Sequence, residues 1–131
     1  MGISLRNVVL DTTDVPRLAA FYQGLLGWQF SDGDDPDDPT WRTLVGPGGQ
    51  RIAFQQADAV APTTWPDTDV PQQLHLDFKV DSVEELEEQH ARVLGLGAAV
   101  RLERMDDPEE PLRVYTDPAG HTFCLFAWPA G

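Results

Sequence analysis

The side chains best equipped for chemistry stand close together, at His75, Asp77 and Lys79, between Leu74, Leu76, Phe78 and Val80. Alternation of this kind puts the three polar groups on one face of a strand and the four apolar ones on the other. An imidazole titrates near neutral pH, so His75 is a candidate general base or hydrogen-bond donor. Three polar groups meeting only hydrocarbon would be costly. That face therefore meets solvent or a polar cleft. On the solvated reading, His75 bonds to a neighbour such as Asp77 or to water, and Asp77 and Lys79 form an exposed pair of little worth. The lone thiol, Cys124, is either a small buried residue or a ligand. His121 belongs to a turn and is expected to serve a hairpin.

Two other segments suggest chemistry and fail on inspection. Asp32, Asp34, Asp35, Asp37 and Asp38 crowd one loop, but the glycine and the closing acidic residue of a calcium-binding EF-hand loop are missing. Gly46-Pro47-Gly48-Gly49 opens no helix, so it is a turn and not a phosphate cradle. No nucleophile elbow or dinucleotide fingerprint is present.

The elements that must position these groups are legible from pattern. Ile3 to Asp11 reads as a strand, followed by Asp14 as N-cap and Pro16 in the first helical turn. Val15, Leu18, Phe21, Tyr22 and Leu25 recur at helical spacing, and Gly27 is a C-terminal stop. Trp28 to Phe30 is extended. Trp41 to Val45 and Arg51 to Gln56 form a hairpin, and Ala57 to Gln73, with three prolines, is a connector. After the strand Leu74 to Val80, Ser82-Val83-Glu84-Glu85 is a capping box. The helix it opens buries Val83, Leu86 and Val93 or Leu94, and Gly95 and Gly97 stop it. Ala99 to Glu103, Leu112 to Thr116 and Thr122 to Ala127 are strands, the last two joined by the turn Asp117-Pro118-Ala119-Gly120.

Composition narrows the partners. The 131 residues suit one compact domain. A net charge of −13 argues against nucleic acid, which needs clustered Lys and Arg. It favours solubility or a cationic ligand. No apolar stretch nears the roughly 20 residues of a membrane helix, so no membrane partner is expected. Met1 to Leu10 lacks the basic and apolar regions of a secretory signal. With one cysteine there is no internal disulfide. A cytoplasmic home is expected.

The chain also repeats itself. At a shift of 68 positions Asn7 lands on His75, Leu10 on Phe78, Leu18 on Leu86 and Gly27 on Gly95. At a shift of 71, Ile52-Ala53-Phe54 meets Phe123-Cys124-Leu125. The expectation is an α+β domain of two βαβββ modules, about 1–57 and about 74–131, joined by a connector of about 58–73. A unit that buries one sheet face under its helix needs a partner for the other. The modules should therefore form a curved mixed sheet around a cleft.

Asp14-Val15-Pro16-Arg17-Leu18-Ala19-Ala20-Phe21-Tyr22, then Leu25-Leu26-Gly27-Trp28, resembles the first-helix signature of the vicinal oxygen chelate superfamily. Tyr115 to Phe123 resembles its final hairpin. The superfamily holds glyoxalases, bleomycin-resistance proteins and extradiol dioxygenases. Its metal-dependent members bind a divalent ion from four equivalent strands, usually with His and Glu. The resemblance puts those positions at Asn7, Ala53, His75 and Cys124, with Gln55 as a substitute for Ala53 in another register. Ala53 cannot ligate, an amide is a weak donor, and Cys124 has no evident carboxylate beside it. A metal-free site is expected, with His75, Cys124 and Asn7 as the ligands should an ion bind. The binding surface is expected to include Asn7, Trp41, Gln55, His75, Asp77, Tyr115, Cys124 and Phe126, with Trp65 over its mouth and His75 as the catalytic candidate. The resemblance implies a homodimer that binds a small molecule. The bleomycin-resistance branch sequesters a cationic antibiotic in an acidic, aromatic cleft. A metal-dependent lyase, isomerase or dioxygenase is the alternative, and a metal-free enzyme using His75 with Asp77 or Tyr115 is a third reading.

Overall fold

A computed structural model describes residues 2–128. The chain divides into two compact units, the first reaching Val60 and the second starting at Ala61. Each is a βαβββ module with its own four-stranded mixed sheet.

In module one, β1 (Val8–Thr12) leads into α1 (Val15–Leu26), β2 (Gln29–Phe30), β3 (Trp41–Val45) and β4 (Arg51–Gln56). The sheet order is β1-β4-β3-β2, with β1 and β4 parallel. Asp14 caps α1 by accepting from the Arg17 backbone N–H at 3.2 Å, a contact worth about 1 kcal/mol. Val15, Leu18, Ala19, Phe21, Tyr22 and Leu25 are buried, the face that the spacing predicts. Tyr22 stacks on Phe54 of β4 at 5.7 Å between ring centroids. The expected strand from Ile3 begins only at Val8. β4 offers partners from Ile52 onward, and Ile3 and Leu5 lie 94% and 84% exposed. Apolar, β-branched residues do not make a strand without a neighbour to pair with.

Module two repeats the order. β5 (Leu76–Val80), α2 (Val83–Leu96), β6 (Ala99–Arg104), β7 (Leu112–Thr116) and β8 (Thr122–Ala127) give the sheet β5-β8-β7-β6, with β5 and β8 parallel. Ser82 accepts from the Glu85 N–H at 3.1 Å, as its capping box predicts. Leu86 and Val93 are the buried residues of α2, while Leu94 is exposed. Gly95 stays helical, and Gly97 alone takes the left-handed cap. The connector packs within this unit: the Thr63 N–H donates to the Gly120 carbonyl at 2.9 Å, and Arg101 donates to the Trp65 carbonyl at 2.8 and 3.0 Å.

The repeat is exact in register. Val9 pairs with Ala53 and Asp77 with Cys124, so the first strands correspond at a shift of 68 and the last at 71.

Of the four glycines with left-handed backbone, Gly27 and Gly120 have opposite surroundings. Gly27 (φ 70°) has open space where a Cβ would stand, whereas at Gly120 (φ 90°) it would sit 2.8 Å from Pro62 Cα. Gly27→Ala should cost about 1 kcal/mol of stability in urea unfolding. Gly120→Ala should cost at least about 2 kcal/mol, because the collision adds to the backbone strain. Equal losses would show that the Pro62 contact does not constrain the turn.

Candidate functional site

The parallel pairing of β5 with β8 sets Asp77 beside Cys124 and Lys79 beside Phe126. β7 then places Val114 beside Cys124 and Leu112 beside Phe126. By alternation all six face away from α2. Leu112, Val114 and Cys124 form a buried cluster against which Trp65, Leu102 and Phe126 pack. At its border His75 Nε2 lies 3.2 Å from Asp77 Oδ1. Gln72 Nε2 lies 3.2 Å from His75 Nδ1. With the amide in this orientation Gln72 donates to Nδ1, which leaves Nε2 to donate to the carboxylate.

Burial pushes the Cys124 thiol up to about 12, and the charge of Asp77 and a hydrogen bond to it push the same way. The ligand atoms of His75, Asp77 and Cys124 all lie within 4.8 Å of one another. Sequence gave Cys124 no carboxylate companion; Asp77 is that companion. Burial and the adjacent Asp77 carboxylate both hold the thiol in its protonated form, so Cys124 is not built as a nucleophile. Lys79 does not pair with Asp77 as expected, but donates to Asp81 at 2.9 Å. A cavity of about 260 Å³ adjoins the group, lined by Asp77, Lys79, Glu110, Phe126 and Trp128. Glu110 was not among the expected residues, since it lies in a loop with no pattern to aim it.

Tyr115 does not join this face. It pairs with Phe123 across β7 and β8, stacks on that ring at 5.2 Å and is fully buried. Its hydroxyl lies 2.7 Å from His90 Nδ1 on α2. Next to it Arg113, also buried, donates to Glu87 at 2.9 Å and lies 3.6 Å from Glu103. Burial pushes the Tyr115 phenol up to about 12, against the lowering influence of Arg113. Tyr115 is thus a structural group beneath α2, away from His75. Since two residues that face each other across strands share a side of the sheet, its pairing with the core residue Phe123 decides this. His121 serves the hairpin, its backbone N–H donating to Asp117 Oδ1 at 3.0 Å.

The corresponding face of module one is chemically quieter. Asn7 Oδ1 accepts from Arg51 Nε at 2.9 Å. Ala53 is fully buried and Gln55 is exposed. Trp41 donates through Nε1 to Thr43 Oγ1 at 3.0 Å. Three carboxylates of the aspartate loop accept from backbone N–H groups: Asp34 from Thr43 of β3 at 2.6 Å, Asp35 from Asp37 at 3.0 Å and Asp38 from Thr40 at 2.8 Å. A hollow of about 670 Å³ runs beside β2, lined by Trp28, Phe30, Ser31, Asp32 and Gly46 among others. Size does not decide between them. Among the described residues, only His75, Asp77 and Cys124 bring three potential metal ligands together.

The family model of the Glyoxalase-like domain matches residues 7–126. The chain belongs to this family. Its fold is that of the vicinal oxygen chelate superfamily. Among similar solved structures is the fosfomycin resistance protein FosX from Listeria monocytogenes, with Mn(II) and 1S,2S-dihydroxypropylphosphonic acid: TM-score 0.72, 21% identity, covering 97% of this chain and 91% of that one. A glyoxalase/bleomycin resistance protein/dioxygenase family enzyme from Burkholderia phytofirmans gives 0.72 at 20%, covering 95% and 98%. A possible glyoxalase from Bacillus cereus gives 0.70 at 15%, covering 95% and 99%. No curated protein sequence matches the chain.

The metal positions of this family can be tested on the residues present. Module one supplies Ala53, which has no donor, and Asn7, whose oxygen already faces the Arg51 guanidinium. A fixed positive charge beside that oxygen opposes a cation there, and Gln55, the substitute for Ala53, offers only a weak neutral amide. The residues therefore do not fit an ion held by all four strands.

The buried phenol makes a prediction about pH. A hydroxyl harder to ionise in the folded chain than in the unfolded one favours folding while it keeps its proton. That contribution is complete below the ordinary tyrosine range near pH 10 and is lost as pH rises toward 12. Tyr115→Phe should lower stability at neutral pH by about 1 kcal/mol through the lost hydrogen bond and flatten the decline above about pH 10. Urea unfolding across that range checks both. An unchanged alkaline slope would show that the phenol is not held in its protonated form.

Proposed function

We propose that this glyoxalase-like protein binds a small organic molecule on the face of module two that points away from α2, with no ion held in the four-strand manner of its metal-dependent relatives. The observation that carries this reading is the 260 Å³ cavity beside the His75–Asp77–Cys124 group. Ligand sites are mostly apolar hollows with a few polar groups that set orientation. Here Phe126 and Trp128 supply the aromatic walls and Asp77 and Glu110 the carboxylates, while the one ammonium, Lys79, is engaged by Asp81. Aromatic faces and unneutralised carboxylates favour a cation, and cation–aromatic contacts contribute about 0.5–2 kcal/mol. The net charge of −13 adds a long-range attraction of the same sign. His75, 3.2 Å from Asp77, orients that carboxylate and is available as a hydrogen-bonding group.

A second reading, a metal-dependent enzyme of the family, draws on the Mn(II) bound by FosX. Against it stand Ala53 and the Asn7–Arg51 contact.

Calorimetric titration of chelator-treated protein with a panel of small aromatic ammonium compounds tests the proposal. Binding should persist without metal. Phe126→Ala and Glu110→Gln should each weaken it by roughly three- to tenfold. Affinity that neither substitution changes, or that appears only when a divalent ion is restored, would overturn it.

A further inference from the structure

We propose, resting on the organic-ligand reading, that Asp81, which stands outside the cavity, sets its preference for cations by holding Lys79 away from the carboxylates that line it. Asp77, Lys79 and Glu110 are the charged groups of the cavity wall. An ammonium paired with either carboxylate would cancel much of the field that attracts a cation. Lys79 pairs instead with a third carboxylate: its Nζ lies 2.9 Å from Asp81 Oδ1.

Along the chain Lys79 stands between two aspartates, Asp77 two residues before it and Asp81 two residues after. Its flexible four-carbon stem suits either, so the surroundings of the two carboxylates decide. Asp77 already meets two donors, His75 Nε2 at 3.2 Å and the Cys124 thiol. Neither donor has to carry a charge, since a thiol is neutral and so is an imidazole above the ordinary histidine range. They satisfy the hydrogen bonding of Asp77 and leave its charge in place. Asp81 is 90% exposed and precedes Ser82, the N-cap of α2, where the positive end of a helix favours a carboxylate. In so exposed a place the ion pair forms with little loss of hydration.

The setting of Lys79 makes its diversion matter. Its direct neighbour on β8 is Phe126, one aromatic wall of the cavity. The Trp128 N–H donates to the Val80 carbonyl at 3.0 Å, which ties the other aromatic wall to the end of β5. An ammonium released from Asp81 stays beside these rings and shares a strand face with Asp77. There it takes the place of a cationic ligand, as a competitor tethered to the wall. Exposed pairs are weak, worth no more than about fivefold in an equilibrium, so Asp81 biases the cavity without locking it. Asp81 is thus a positioning residue that acts through Lys79 and needs no contact with the ligand.

Calorimetric titration of the full chain with benzyltrimethylammonium, a permanent aromatic cation, tests this in a double-mutant cycle. Asp81→Asn should weaken binding by about three- to fivefold. Lys79→Gln, which removes the tethered competitor, should bind at least as tightly as the unaltered protein. The double variant should stay within about twofold of Lys79→Gln alone, because Asp81 then has nothing to hold. Such a rescue excludes a folding defect, which the second substitution would not repair. A loss from Asp81→Asn that persists undiminished in the Lys79→Gln chain overturns the proposal and leaves Asp81 as one more charge in the long-range field. Unchanged affinity in Asp81→Asn overturns it too. Absence of binding by the unaltered protein is a different failure: it overturns the organic-ligand reading itself, and this proposal with it.

Discussion

The parallel pairing of the first and last strand in each module is the constraint on which the rest of the molecule depends. β1 lies along β4 and β5 along β8, and a parallel pair cannot be joined by a tight turn. The chain must cross over, and here the crossover includes the helix that covers one face of the sheet. Once Leu10 and Phe54, or Phe78 and Leu125, are committed to that covered face, period-two geometry sends their neighbours to the other. Val9 and Ala53 in one module, and Asp77 and Cys124 in the other, have no freedom in the matter. The chemistry on the helix-free face is thus a consequence of burying Tyr22 on Phe54 and Phe123 on Tyr115.

That logic explains why so much of the fold was legible. Both helices announce themselves through caps and an apolar stripe. The hairpin strands Trp41–Val45 and Arg51–Gln56 and the strands Leu112–Thr116 and Thr122–Ala127 begin and end where alternation and turn residues place them. Errors cluster where a partner sets the limit. Residues 3–7 and 74–75 have strand-like character, yet the strands start at Val8 and Leu76, where the parallel neighbours start. Propensity is local and pairing is not.

The candidate site was half legible for the same reason. Alternation along one strand put His75, Asp77 and Lys79 together, and their shared face is observed. What alternation cannot give is which residue of a distant strand lies alongside. Asp77 was therefore not connected to Cys124, although a repeat shift of 71 aligns Cys124 with Ala53, the partner of Val9, and a shift of 68 aligns Val9 with Asp77. The same pairing, applied to Tyr115 and Phe123, removes Tyr115 from the surface where it was expected. Arg113 had no signal beyond its place between apolar residues. It is buried because Glu87 and Glu103 reach it from a helix and a neighbouring strand, and a buried guanidinium without such partners would be costly.

Equivalent positions in the two modules have taken opposite chemical courses. Module one carries Asn7, Val9, Arg51 and Ala53 where module two carries His75, Asp77, Thr122 and Cys124. In the first set the amide of Asn7 is satisfied by the Arg51 guanidinium, and where module two has a thiol the last strand has only the methyl group of Ala53. In the second, an acceptor, a titratable ring and a thiol are gathered with no basic residue among them, since Lys79 is drawn away by Asp81. A backbone that repeats so closely would place ligands symmetrically if the side chains allowed it. They do not: the Arg51 guanidinium sets a positive charge beside Asn7 in one copy, whereas the other sets the carboxylate of Asp77 beside His75 and a thiol. The two modules are therefore asymmetric at the level of side chains, on a scaffold that is symmetric in register.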